Sequence, residues 1–289
     1  MFDGFTLERI RLSEVEIRLR RGGSGPPILL LHGHPRTHTT WHRVAPLLAR
    51  RFTVVCPDLR GYGESSVPSD QPRHAQASKR AMARDAVELM HRLGHERFAV
   101  VGHDRGAYAA LRTALDHPAV VSHLVVLDAV PIGEALRRAD ARLARAWWHW
   151  FFFAQADKPE RAILADPEAW YRNDPGAMGQ ENFDDYRRAI HDPATVHAMM
   201  EDYRAGLDID RDADEADMRA GRRIEAPTLV LWAARDDLGD LYGDPLEVWS
   251  TWAGDLRGRA LDSGHHMAEE IPEMLADEIA AFVLTSAHR

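Results

Sequence analysis

The sequence predicts an α/β fold: a mostly parallel sheet flanked by helices, with a helical segment inserted into it. Short, nearly continuous apolar runs recur at Ile28–Leu31, Phe52–Cys56, Phe98–Val101, Leu124–Leu127 and Thr228–Trp232. Gly, Pro, His or Asp bounds each run, and several lead into segments of helical pattern. That alternation is expected of a parallel sheet covered on both faces. The rhythm stops after Leu127-Asp128 and resumes at Pro227-Thr228, which marks an insertion.

Taken in order, residues 10–20 come first. Ile10, Leu12, Val15, Ile17 and Leu19 alternate in part, as in an antiparallel edge hairpin. The five apolar runs follow as buried strands. Within the insertion, Leu136, Leu143, Trp147 and Trp150 recur at helical spacing and share one helix face. Asp-Pro pairs at 166–167, 174–175 and 192–193 punctuate the rest. The resulting division is a core domain of residues 1–132 and 223–289, with a helical cap at 133–222 that closes over a site and excludes water.

The 289 residues suffice for one large core and an inserted subdomain. A net charge of −9, with no basic run or basic-aromatic stripe, argues against nucleic-acid binding. The single cysteine, Cys56, excludes a disulfide framework and sits in an apolar run, so it reads as a buried strand residue. The acidic start lacks the form of a signal peptide, and no stretch is long and apolar enough to span a membrane. A soluble, cytoplasmic chain is expected. No metal-ligand spacing or dinucleotide fingerprint stands out, so neither a metal nor a cofactor is expected.

Chemistry concentrates in four segments. Gly102-His103-Asp104-Arg105-Gly106 joins a strand to a helical stretch, in the small-x-nucleophile-x-small pattern of a nucleophile elbow. Aspartate stands where esterases carry serine. Leu31-His32-Gly33-His34-Pro35 follows the first buried strand, and the N–H groups of His34 and Arg105 would form an oxyanion hole. Asp58-Leu59-Arg60-Gly61-Tyr62-Gly63-Glu64-Ser65 reads as a structural loop near the site. Asp262-Ser263-Gly264-His265-His266 precedes the last helix and supplies the histidine. The Gly-His step favours His265 over His266, and His103 reads as support for the elbow. The acid partner is Asp128 or Asp236, each just beyond a strand. Together these segments define an α/β-hydrolase fold.

The nucleophile type sets the reaction class. A carboxylate attacking a carbonyl would form a reactive anhydride. Displacing a leaving group from saturated carbon, it forms a stable ester that a histidine can hydrolyse by activating water. Halide and epoxide oxygen are suitable leaving groups.

The chain resembles the haloacetate dehalogenases, including the fluoroacetate dehalogenases, over nearly its whole length. His32-Gly33-His34-Pro35, Trp41–Pro46, Asp58–Gly63, His103–Gly106, His149-Trp150, Glu201–Gly206 and Ser263-Gly264-His265 carry the resemblance. It implies Asp104 as nucleophile, Asp128 rather than Asp236 as the acid, and His149, Trp150 and Tyr203 as halide donors. It also implies a small-molecule substrate and a homodimer. The family pairs the arginine after the nucleophile with a second one three residues later, and both grip the substrate carboxylate. Here Arg105 is present but Tyr108 holds the second position. Arg36 either reaches the site to replace the missing guanidinium or faces solvent. The competing enzyme reading is an epoxide hydrolase, with Tyr203 and either Tyr171 or Tyr186 as proton donors.

Overall fold

The computed structural model describes residues 1–285. Its sheet has eight strands: β1 (Phe5–Arg11), β2 (Glu16–Gly23), β3 (Pro27–Leu31), β4 (Thr53–Pro57), β5 (Phe98–His103), β6 (Val121–Leu127), β7 (Thr228–Ala233) and β8 (Leu256–Leu261). Their order is β1-β2-β4-β3-β5-β6-β7-β8. The hairpin β1–β2 is antiparallel and β2 meets β4 antiparallel; every other pairing is parallel.

The apolar runs form strands because both of their faces are covered. Leu29, Val100, Val126 and Val230 point into one core, shared with the helices Lys79–Arg92 and Arg105–Asp116. Ile28, Leu30, Val101, Val125 and Leu231 point into the other, against the helix Pro272–Thr285. This is the period-two alternation of a strand, hidden in sequence because both faces are apolar. Each fully buried Leu or Val contributes about 1.5–3 kcal/mol.

The strand order reverses between the parallel strands β3 and β5, so a crevice opens beyond their carboxyl ends. Ligands bind there in open α/β sheets. All the predicted chemistry lies at that end: His34 follows β3, Asp104 follows β5, Asp128 follows β6, Asp236 follows β7 and His265 follows β8.

Between β6 and β7 the chain is helical from Ile132 to Ala220. The three Asp-Pro pairs start helices, with Asp166, Asp174 and Asp192 as N-caps and proline in the first turn. The expected single helix through Leu136 and Trp150 is corrected. Three short helices stand there, Ile132–Arg137, Ala141–Ala146 and Trp148–Phe153. Asp140 begins the second by accepting from the N–H groups of Arg142 and Leu143 at 2.8 and 3.0 Å. Trp147 leaves helical geometry between the second and third. Strand β8 is an addition to the reading. Only Leu261 is buried in it, which left no apolar run to see.

Candidate active site

The turn at Asp104 is an elbow in backbone terms. Asp104 sits at φ 50°, ψ −119°, a sparsely populated region held by the strand behind it and the helix ahead. Close approach requires the flanking glycines. A Cβ at Gly102 would lie 2.3 Å from the Gly106 carbonyl, and one at Gly106 would lie 2.4 Å from that of His32. The His34 N–H donates to Asp104 Oδ1 at 2.7 Å, and the Arg105 N–H also bonds the carboxylate. Burial would raise the Asp104 pKa, but the nearby His265 charge and these N–H groups hold it below the ordinary range. Asp104 is therefore ionised at neutral pH.

Three histidines meet beside it. The His103 and His265 rings lie 4.6 Å apart, and those of His265 and His266 lie 5.2 Å apart. Burial pushes His103 down to about 3, and its Nε2 bonds the His265 carbonyl at 2.8 Å. Burial also drives His266 well below the usual imidazole range. His265 differs because its Nδ1 lies 2.7 Å from Asp128 Oδ2 and 3.0 Å from Asp236 Oδ2. Burial opposes protonation of His265, but these carboxylates and Asp104 outweigh it and hold the imidazole well above its ordinary pKa. The neighbouring carboxylates, not the residue type, set His265 apart from His103 and His266.

Asp104 and His265 open into a cavity of about 340 Å³ whose wall also includes His34, Arg36, Tyr108, His149, Trp150, Tyr171 and Tyr203. Burial takes His149 down to about 4, leaving a neutral ring with an N–H to offer. Burial also keeps Tyr108 and Tyr203 protonated. Trp150 stacks on Trp147 at 4.9 Å, and the Trp147 indole N–H is committed to Asp237 at 2.8 Å.

The α/β hydrolase fold model matches residues 26–272. A fluoroacetate dehalogenase from Burkholderia sp is 43% identical, covering 98% of this chain and 95% of its own. The chain belongs to the α/β-hydrolase family, in its haloacetate dehalogenase-like branch. Also similar are a soluble epoxide hydrolase from Corynebacterium sp. strain C12, 30% identical over 90% of this chain and 91% of its own, and a solved structure from Nostoc sp PCC 7120 named only by its α/β-hydrolase class. The latter is 45% identical with a TM-score of 0.94, covering 98% of this chain and 99% of that one.

Two arginines of this α/β hydrolase lie beside the cavity in different ways. The Arg105 guanidinium is not on the cavity wall. It lies beneath Tyr203, Tyr108 and Trp150, at 4.3, 5.4 and 5.7 Å from the ring centres. Asp202 holds it through Nε and Nη2 at 3.2 and 2.7 Å, and Nη1 has no protein partner. Arg36 does not face solvent: it is 2% exposed and lies on the wall. Glu269 fixes its Nε and Nη2 at 2.9 and 3.1 Å, and Nη1 has no protein partner.

Sequence reasoning missed Asp202, Glu269 and Asp237 as partners. Asp202 also bonds the Tyr62 hydroxyl at 2.8 Å and the Lys79 ammonium. Its place beside Tyr203 was a usable signal; nothing local ties Glu269 to Arg36. The loop after β4 is structural as read, since Asp58 accepts the His38 and Glu64 N–H groups at 2.8 and 3.1 Å. Among the described residues, His38-Asp58-Asp185 and Asp128-Asp236-His265 bring possible ligand atoms within 4.8 Å of one another. Arg18 already reaches both acids of the first group, and the second is the histidine's own support.

Proposed function

We propose that this enzyme hydrolyses the carbon–halogen bond of a small haloacid. The observation that carries the reading is an ionised Asp104 opening into the same cavity as three neutral N–H or O–H donors, His149, Trp150 and Tyr203. The free carboxylate oxygen displaces halide from carbon, giving an ester on Asp104. The departing halide accepts from the three donors. His265 then takes a proton from water, which adds to the Asp104 carboxyl carbon. The oxyanion forms on Oδ1, which already accepts the His34 N–H at 2.7 Å, with the Arg105 N–H beside the same carboxylate. Collapse expels the glycolate oxygen, which takes the proton from His265, and the new Asp104 carboxyl loses its proton to solvent, regenerating the carboxylate.

In this reading, Arg36 anchors the substrate carboxylate in place of the missing second arginine. The wall also carries Asp104, Asp128, Asp236 and Asp237, so anion binding is weak. Arg36→Ala is expected to raise the KM for chloroacetate roughly tenfold or more, the value of one charge-assisted bond. The KM for uncharged chloroacetamide should not change. That control absorbs any stability loss from leaving Glu269 unpaired. Cys56 is buried and will not compete for the reagent. An unchanged chloroacetate KM rejects the Arg36 role.

The second reading, epoxide hydrolysis, rests on Tyr171 and Tyr203. Both lie on the wall, their rings 5.4 and 5.1 Å from that of His34, and the Tyr171 hydroxyl is buried without a partner. Tyr186 is off the wall and its hydroxyl is bonded to Asn173 at 2.7 Å, so the donor pair would be Tyr171 and Tyr203. One panel separates the readings. Halide and glycolate release from fluoro-, chloro- or bromoacetate supports the first. Diol formation from styrene oxide, with no halide release, replaces it with the second.

A further inference from the structure

The loop after β7 brings a carboxylate that a one-acid arrangement does not need. Asp128 Oδ2 is 2.7 Å from His265 Nδ1, and Asp236 Oδ2 is 3.0 Å from the same atom. The two acids are held differently. The Asp128 side chain is wholly buried, and its Oδ1 accepts the Ala233 N–H at 3.0 Å. The Asp236 side chain is 32% exposed. A single Nδ1–H points at one acceptor at full strength, so the other carboxylate stands ready beside it.

We propose that Asp236 is a positioning residue that duplicates Asp128, so that ester hydrolysis survives the loss of either carboxylate and fails on the loss of both. The inference rests on the two-step reading above. Its physical basis is the imidazole tautomer. Water activation needs the proton on Nδ1 and a bare Nε2, and any carboxylate bonded to Nδ1 imposes that state. The division between the acids follows from burial. Burial pushes Asp128 up, whereas His265 holds Asp236 down at about 2 in spite of its own burial. Asp236 thus carries negative charge when the pair shares a proton, and Asp128 supplies the shorter, buried contact. Asp104, Asp237, His103, His149 and His266 also face His265, but none of them bonds Nδ1.

The test compares Asp128→Asn, Asp236→Asn and the double variant in the full chain. Decay of the chloroacetate-derived ester is followed by mass spectrometry, and His265 is titrated by ¹⁵N NMR without substrate. Each single variant is expected to slow ester decay by less than about tenfold, and the double by on the order of a thousandfold or more, as when a catalytic histidine loses its tautomer. The His265 midpoint should fall in each single variant and further in the double. Asp128→Asn as slow as the double overturns the inference. If the wild-type enzyme forms no ester, the two-step reading fails and the titration alone decides. A His265 midpoint unmoved by Asp236→Asn then overturns the inference; because Asp236 is partly exposed, that variant does not depend on a buried substitution being tolerated.

Discussion

A single turnover in ¹⁸O-labelled water, with enzyme in excess over chloroacetate, is expected to leave the label on Asp104 and none in the glycolate. In the proposed mechanism the product oxygen comes from the carboxylate that displaces the halide, and water replaces it when the ester is cleaved. Digestion should then find a two-dalton increase confined to the peptide containing Asp104. Asp104→Asn should lower turnover by at least about a thousandfold, because an amide does not supply the attacking anion. The fold should persist. Asparagine retains an Oδ1 to accept the His34 N–H, which Asp104 takes at 2.7 Å, and it tolerates positive φ better than most residues. Label in the first-turnover glycolate would mean direct attack by water, with Asp104 as a base, and would remove the ester from the mechanism.

Much of this site was legible in the sequence, because an elbow is a local object. Gly102, Asp104 and Gly106 fall within five residues of chain, although the carbonyls that a Cβ at Gly106 would strike belong to Leu31 and His32 at the end of β3. Strand ends were legible for a related reason: the apolar runs stop where the sheet stops, so the residues just beyond them fall at one rim. Charge partners were not legible. Arg36 and Glu269 are 233 residues apart and Arg105 and Asp202 are 97 apart, and neither separation follows a period of helix or strand. Arg105 shows the consequence. A guanidinium beside Asp104 reads as a substrate anchor, and only the fold shows that Asp202 also holds it. The broken helix at 132–153 failed for another reason. Apolar spacing reports which side chains face a core, and Leu143, Trp147 and Trp150 do, but it is blind to the cap at Asp140.

His265→Gln should separate the two steps, because the residue is needed for only one of them. Displacement by Asp104 requires no base, since the carboxylate is already ionised. Ester hydrolysis does require one, and a general base contributes about a hundred- to ten-thousandfold. The variant should therefore release one equivalent of halide per site and stop as a stable Asp104 ester, detected as a fixed mass increase of the intact chain. The wild-type enzyme should approach the same behaviour as pH falls. Asp128, Asp236 and Asp104 raise the His265 pKa, so the imidazole stays protonated, and unable to accept a proton, up to a higher pH than an ordinary histidine. Alkylation removes the Asp104 charge, one of the groups that favour the cation, so His265 becomes a better base once the ester exists. The sign is fixed. Ester decay should rise with pH until the imidazole is fully neutral, while ester formation should stay flat as long as Asp104 is ionised. A halide burst that itself weakened at mildly acid pH would place the titrating group in the first step. A wild-type ester that decayed equally fast at pH 5 and pH 8 would take the base role from His265.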